Sequence, residues 1–176
     1  PSKSLFCQSK DMEADRGTCT LTSAISRCAA SLQTTVAVHD LSVSTREYSD
    51  QNGEQNGELT YRQLSAYSQS LARFLRERNV QPNDAVPLLA CRGWEAIVGI
   101  LAVLFCGAHY IPLGHAVSDD VLVHIVERFG RKAVLCVPTT GGRLRLWQHH
   151  IPALSKCFAV DINTGWLREL EAEYRL

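Results

Sequence analysis

Two periods of apolar and polar positions run through this chain. From Thr20 onward, Leu21, Ala24, Ile25, Cys28 and Leu32 recur at helical spacing and predict an amphipathic helix. Thr35 to His39 is short and rich in β-branched residues, which predicts a strand. Leu41 to Glu58, with Asn-Gly twice, reads as a mobile surface loop between two strands. A second helix follows Thr60, which pairs with Gln63 in a capping box where hydroxyl and amide each satisfy an open backbone N–H. Leu64, Tyr67, Leu71, Phe74 and Leu75 line its inner face. Arg73, Arg76 and Arg78 gather toward its end, where the helix dipole favours cations, and Asn79 closes it before a turn at Gln81 to Asp84.

Ala85 to Cys91 predicts a buried strand, although Pro87 removes one ladder hydrogen bond. The run from Trp94 to Phe105 is almost wholly apolar, longer than most strands and shorter than a membrane span, so it predicts a helix buried on most faces. Gly107 stands where a left-handed glycine ends a helix. His109 to Leu113 is extended, because Pro112 biases Ile111 that way. Ser118, Asp119 and Asp120 cap a further helix with Val121, Leu122, Ile125, Val126 and Phe129 inward, stopped by Gly130. Ala133 to Val137 and Cys157 to Ile162 read as strands and Trp166 to Tyr174 as a terminal helix, while Arg143 to Leu154 stays ambiguous. Strands alternating with helices predict an α/β fold with a largely parallel sheet.

Composition narrows the classes. The 176 residues, 45% hydrophobic, suffice for one domain with a core or for a large piece of something bigger. Lys plus Arg and Asp plus Glu balance at 18 each, so no global field favours nucleic acid or an anionic membrane. With no signal-peptide core or long apolar span, the expectation is a cytoplasmic protein. Pro1 to Gly17 is polar and aperiodic, which predicts a flexible lead-in, leaving residues 18–176 as the folded part. The start at Pro1, without Met, suggests an excised segment. The seven cysteines (7, 19, 28, 91, 106, 136, 157) are odd in number and scattered through apolar runs, which favours reduced thiols over a disulfide framework.

Candidate chemistry is sparse. His109 and His115 lack further ligands at metal spacing, and the adjacent His149 and His150 diverge in either helix or strand. Cys106 and Cys136 lie in apolar runs that oppose a reactive thiolate. Helix capping accounts for Asp119 and Asp120. Arg143 and Arg145 with His149 and His150 form a small basic patch, read as solvated surface, and Tyr110 with Pro112 as a packing corner. Gly141-Gly142 lacks the spacing of a phosphate cradle, and no Gly-x-Gly-x-x-Gly or Gly-x-Ser-x-Gly is present. No catalytic, cofactor-binding or metal residue is assigned.

An ordered set of motifs nevertheless resembles a known family. Leu59-Thr60-Tyr61-Arg62-Gln63-Leu64 is similar to the first core motif, L-T-Y-x-E-L, of the adenylation domains of nonribosomal peptide synthetases. Leu71 to Arg78 with Val80 to Asp84, and then Leu104 to Leu113, resemble the run that follows and the second motif, L-K-A-G-x-A-Y-x-P-L. The resemblance implies the first portion of the large N-terminal subdomain of the adenylate-forming fold, a layered α/β/α sandwich. Intact members activate an amino or other carboxylic acid with ATP and Mg to an acyl-adenylate, then load it on a carrier thiol.

Both motifs are mainly structural in that family. Its phosphate loop, ribose-binding aspartate and adenylating lysine have no counterpart here, so this segment is expected to be inactive alone and to hold no cofactor. Its implied partners are the rest of the adenylation domain and neighbouring carrier and condensation domains. Departures at Phe105, Cys106, Gly114 and His115 keep a second reading open: a degenerate relic serving as a structural or interaction module, with self-association through an uncovered apolar face.

Overall fold

The apolar run forms the helix that joins the layers. In a computed structural model that describes residues 20–40, 58–90, 93–114, 116–130, 132–137, 159–162 and 164–174, it becomes a helix at Trp94–Phe105. In chain order the elements are α1 (Leu21–Ser31), β1 (Val36–His39), β2 (Glu58–Thr60), α2 (Tyr61–Glu77), β3 (Ala85–Leu89), α3 (Trp94–Phe105), β4 (His109–Leu113), α4 (Asp119–Phe129), β5 (Val134–Cys136), β6 (Ala159–Asp161) and α5 (Thr164–Tyr174). The lead-in and the loop at 41–57 lie outside the described residues, as does the ambiguous segment.

β3, β4, β5 and β6 make a parallel sheet in the order β4-β3-β5-β6, and β1 pairs antiparallel with β2 apart from it. Side chains on a strand alternate between faces, and the core divides accordingly. Val86 and Leu88 of β3, Leu135 of β5 and Val160 of β6 join one cluster with residues of α2, α3 and α5. Leu89, Val134 and Cys136 join the other with Leu122 and Val126 of α4. The result is an α/β/α sandwich, as expected. No described helix is long and apolar enough to cross a membrane.

Local chemistry sets the element ends. The capping box forms: the Gln63 backbone N–H donates to Thr60 Oγ1 at 3.3 Å, and the Thr60 N–H to Gln63 Oε1 at 3.0 Å. α2 and α3 close in the same way. Asn79 (φ 63°) and Gly107 (φ 72°) take left-handed backbone, and Val80 and Ala108 donate back to the Leu75 and Val103 carbonyls.

Hydrogen-bond parity explains both strand prolines. The Asp84 carbonyl accepts from His109 and the Ala90 N–H donates to Leu113, so even-numbered positions of β3 face β4. Pro87 therefore faces β5, which takes up its pairing only from Leu88, so the missing N–H falls before the ladder starts. The same parity turns Pro112 toward the outer edge of β4, where no described strand requires a donor.

Two local expectations need correction. Val121 and Phe129 of α4 are 48% and 38% exposed, because the sheet covers only the arc around Leu122 and Val126. Ser118 caps α4 without a side-chain hydrogen bond, so the first-turn carboxylates of Asp119 and Asp120 serve its dipole instead. Gly130 stops α4, as expected, at φ −81°. Its need for glycine is spatial, since a Cβ there would lie 2.7 Å from the Val126 carbonyl oxygen.

Candidate functional site

The topology opens one crevice. After β3 the chain enters α3 on one face of the sheet, and after β4 it enters α4 on the other. Adjacent parallel strands whose following helices diverge leave a gap at their carboxyl ends, where ligands of such sheets usually sit. Gly93 and Gly114 border this gap. Gly93, at φ 150°, caps α3 without a side-chain hydrogen bond, and a Cβ there would lie 2.7 Å from Glu95 Oε2 and 3.3 Å from Asp40 Oδ2. Both carboxylates thus stand close to the start of α3.

A groove of about 430 Å³ lies elsewhere, along α2 between the end of α3 and α5. Ala66, Gln69, Ser70, Arg73 and Arg76 form its floor and one side, with Phe105, Glu171 and Tyr174 opposite. The Arg73 guanidinium stacks 4.6 Å from the centre of the Tyr174 ring. Its Nε lies 3.9 Å from Glu77 Oε1, beyond hydrogen-bond length. Arg76 Nη2 donates to the Phe105 carbonyl at the end of α3, and Tyr174 donates its hydroxyl to Glu77. Burial, reinforced by Glu77, pushes the Tyr174 phenol up to about 12, so it stays protonated at neutral pH. Beside the groove, Phe74 meets Trp166 edge-on at 5.0 Å, and Arg78 lies 3.6 Å over Phe74.

Among the described residues, those considered from sequence do not converge. His109 and Tyr110 lie exposed on edge strand β4, and Pro112 beside them is exposed too. The packing-corner reading of Tyr110 and Pro112 is thus corrected: both side chains are exposed on the edge strand. Cys106 is buried and donates to the Ala72 carbonyl at 3.3 Å; burial pushes its thiol up, with Arg76 only partly opposing. Cys136 is buried as well and donates to the Val160 carbonyl at 3.3 Å. Among the described residues, no three His, Cys, Asp or Glu side chains gather as a metal site. His115, His149, His150, Arg143, Arg145 and the Gly141-Gly142 pair lie outside the described residues.

Two features escaped sequence reasoning. Lys132 Nζ lies 2.6 Å from Asp84 Oδ2, which also accepts the Gln81 N–H at 2.6 Å, so the turns before β3 and β5 are tied together. Both contacts hold the Asp84 carboxyl below the usual carboxylate range, the Lys132 bond most strongly. The second is the groove itself: the spacing of Arg73 and Arg76 is visible in sequence, but the partners from α5 are not.

Comparison with known proteins decides the family. A profile of AMP-binding enzymes matches residues 27–172, most of the chain. The chain belongs to the AMP-binding enzyme family. Bacitracin synthase 3 of Bacillus licheniformis is 47% identical over 68 residues, covering 39% of this chain and 1% of that protein. Gramicidin S synthase 2 of Brevibacillus brevis is 36% identical over 77 residues, covering 44% of this chain and 2% of that protein. The chain thus spans a small fraction of these relatives, and the likeness is to the N-terminal part of an adenylation domain. The crystal structure of a fatty acid AMP ligase from Legionella pneumophila shares the fold, with a TM-score of 0.62 at 18% identity over 89% of this chain and 25% of that one.

Proposed function

We propose that this segment builds one wall of the large subdomain of a nonribosomal peptide synthetase adenylation domain, and that alone it does not catalyse adenylation. In the intact protein, ATP, Mg and the acid would be held by residues that have no counterpart here. One observation carries this reading: both family motifs serve element ends. Leu59 to Leu64 is a strand leading into the capping box of α2, and Leu104 to Leu113 is the close of α3 and strand β4. Neither motif brings a nucleophile, a general base or a metal ligand set into a pocket. The setting this implies is cytoplasmic, with the remainder of the adenylation domain as first partner and carrier and condensation domains as neighbours.

ATP with Mg, titrated into the 176-residue chain by calorimetry, is expected to give no measurable heat of binding. A dissociation constant of about 1 µM, worth about 8 kcal/mol, would overturn the reading. The relic reading, an interaction module, draws on exposed apolar residues on α4 and β4, namely Val121, Phe129 and Tyr110. Sedimentation separates the two, since a self-associating module shifts to larger species with concentration.

A further inference from the structure

We propose that the groove between α2, the end of α3 and α5 binds a small organic anion, whose carboxylate or phosphate is received by Arg73 and Arg76. The site lies apart from the crevice at the carboxyl ends of the strands and does not depend on the adenylation reading. Three observations carry it. The cavity, at about 430 Å³, falls within the range of small-ligand pockets. Arg73 is stacked on the Tyr174 ring with Glu77 Oε1 3.9 Å from its Nε, and Arg76 donates to the Phe105 carbonyl, so the contacts given for either guanidinium include no close bidentate carboxylate. A guanidinium carries five N–H donors in a fixed fork, and these contacts leave several on each for an oxyanion. Such prior ordering reduces the entropy lost on binding.

The remaining lining fits the body of such a ligand. Ala66 and Phe105 offer an apolar surface, while Ser70 and Gln69 add short polar groups. Gln69 Nε2 already donates to Ser65 Oγ at 2.7 Å, which fixes the amide. Glu171 in the lining and Glu77, 3.9 Å from Arg73 Nε, bring negative charge to the groove and limit affinity. The ligand is accordingly a monoanion or dianion with a compact apolar part, held by a bidentate contact at one end.

Benzoate and phenyl phosphate, with neutral benzyl alcohol as control, test this by NMR titration of the full 176-residue chain. The two anions separate a carboxylate ligand from a phosphate ester. At least one should shift the resonances of Ser70, Phe105 and Tyr174 with a dissociation constant of about 1 mM, typical of ligands this small. That binding should weaken with added salt. In the double variant Arg73→Gln with Arg76→Gln, affinity should fall at least about tenfold, the loss of a charged hydrogen bond at a preformed site. Should that variant unfold, Glu171→Gln serves instead and should tighten anion binding. Equal binding of benzyl alcohol, no shifts with either anion, or no change in these variants would overturn the proposal.

Discussion

Gly99 lies where α3 packs tightly on the sheet, and replacing it tests that approach. A Cβ at this position would stand 2.9 Å from Ile162 Cδ1, 3.1 Å from Leu88 Cδ1 and 3.6 Å from Leu135 Cδ1. Carbon pairs sit comfortably at about 3.5–4.0 Å, so two of the three contacts are too short. Two effects compete in Gly99→Ala. Alanine in a helix interior gains about 1 kcal/mol over glycine. Overpacking a filled core costs about 1–3 kcal/mol. The obstructing atoms are side-chain ends, which can turn away only where space exists. Ile162 and Leu135 are fully buried and Leu88 is 2% exposed, so that space is scarce.

The balance predicts a net loss of about 1 kcal/mol in Gly99→Ala, measured by urea unfolding of the chain followed by tryptophan fluorescence. Ile162→Val removes the nearest methyl and alone costs about 1 kcal/mol, but in the Gly99→Ala background it should cost close to nothing. The double-mutant cycle then reads about 1 kcal/mol of coupling. A Gly99→Ala protein that gains its full helix propensity, together with additive behaviour of the pair, would refute the close approach of α3.

Two further predictions rest on single contacts. The Asp84 carboxyl is held below its unfolded value by Lys132 and the Gln81 N–H, so its contribution is present above pH about 4 and lost as pH falls through the folded value. Asp84→Asn keeps an acceptor for Gln81 and removes the charge. It should therefore cost about 0.5 kcal/mol at neutral pH and flatten the acid limb of the stability curve, and an unchanged limb would contradict the tie. At Gly107, φ is 72° and the nearest atom to a Cβ is Pro82 Cβ at an ordinary 3.4 Å, so Gly107→Ala meets torsional strain of about 1–2 kcal/mol. Gly107→Asn should recover part of that loss in thermal denaturation, since Asn79 already holds the same conformation at the end of α2.

The sequence was most informative where one element decides its own form. The capping box at Thr60 and Gln63, the close of α2 at Asn79, the left-handed close of α3 at Gly107 and the apolar run of α3 depend on neighbours within one or two turns, and all were legible. Exposure was harder, because periodicity tells which side of a helix is apolar but not how much of it the sheet covers. Val121 and Phe129 share the apolar arc of α4 with Leu122 and Val126, yet only the latter two reach the core. Contacts between distant residues left no local signal. The Lys132–Asp84 pair, the Phe74–Trp166 edge contact and the Arg73–Tyr174 stack each join segments whose encounter depends on the whole fold.

The same division accounts for what the site residues do. Sequence placed Arg73, Arg76 and Arg78 near the end of α2 as cations serving their own helix dipole. In the fold, Arg76 reaches the carbonyl end of α3 instead, so its charge meets the dipole of a second helix. Arg78 and Arg73 lie over the aromatic rings of Phe74 and Tyr174. One cationic cluster thereby links three helices, and two of its members border the groove. Removing Arg76 should accordingly loosen the end of α3 as well as the groove, whereas removing Arg78, which does not line the groove, should leave anion binding intact.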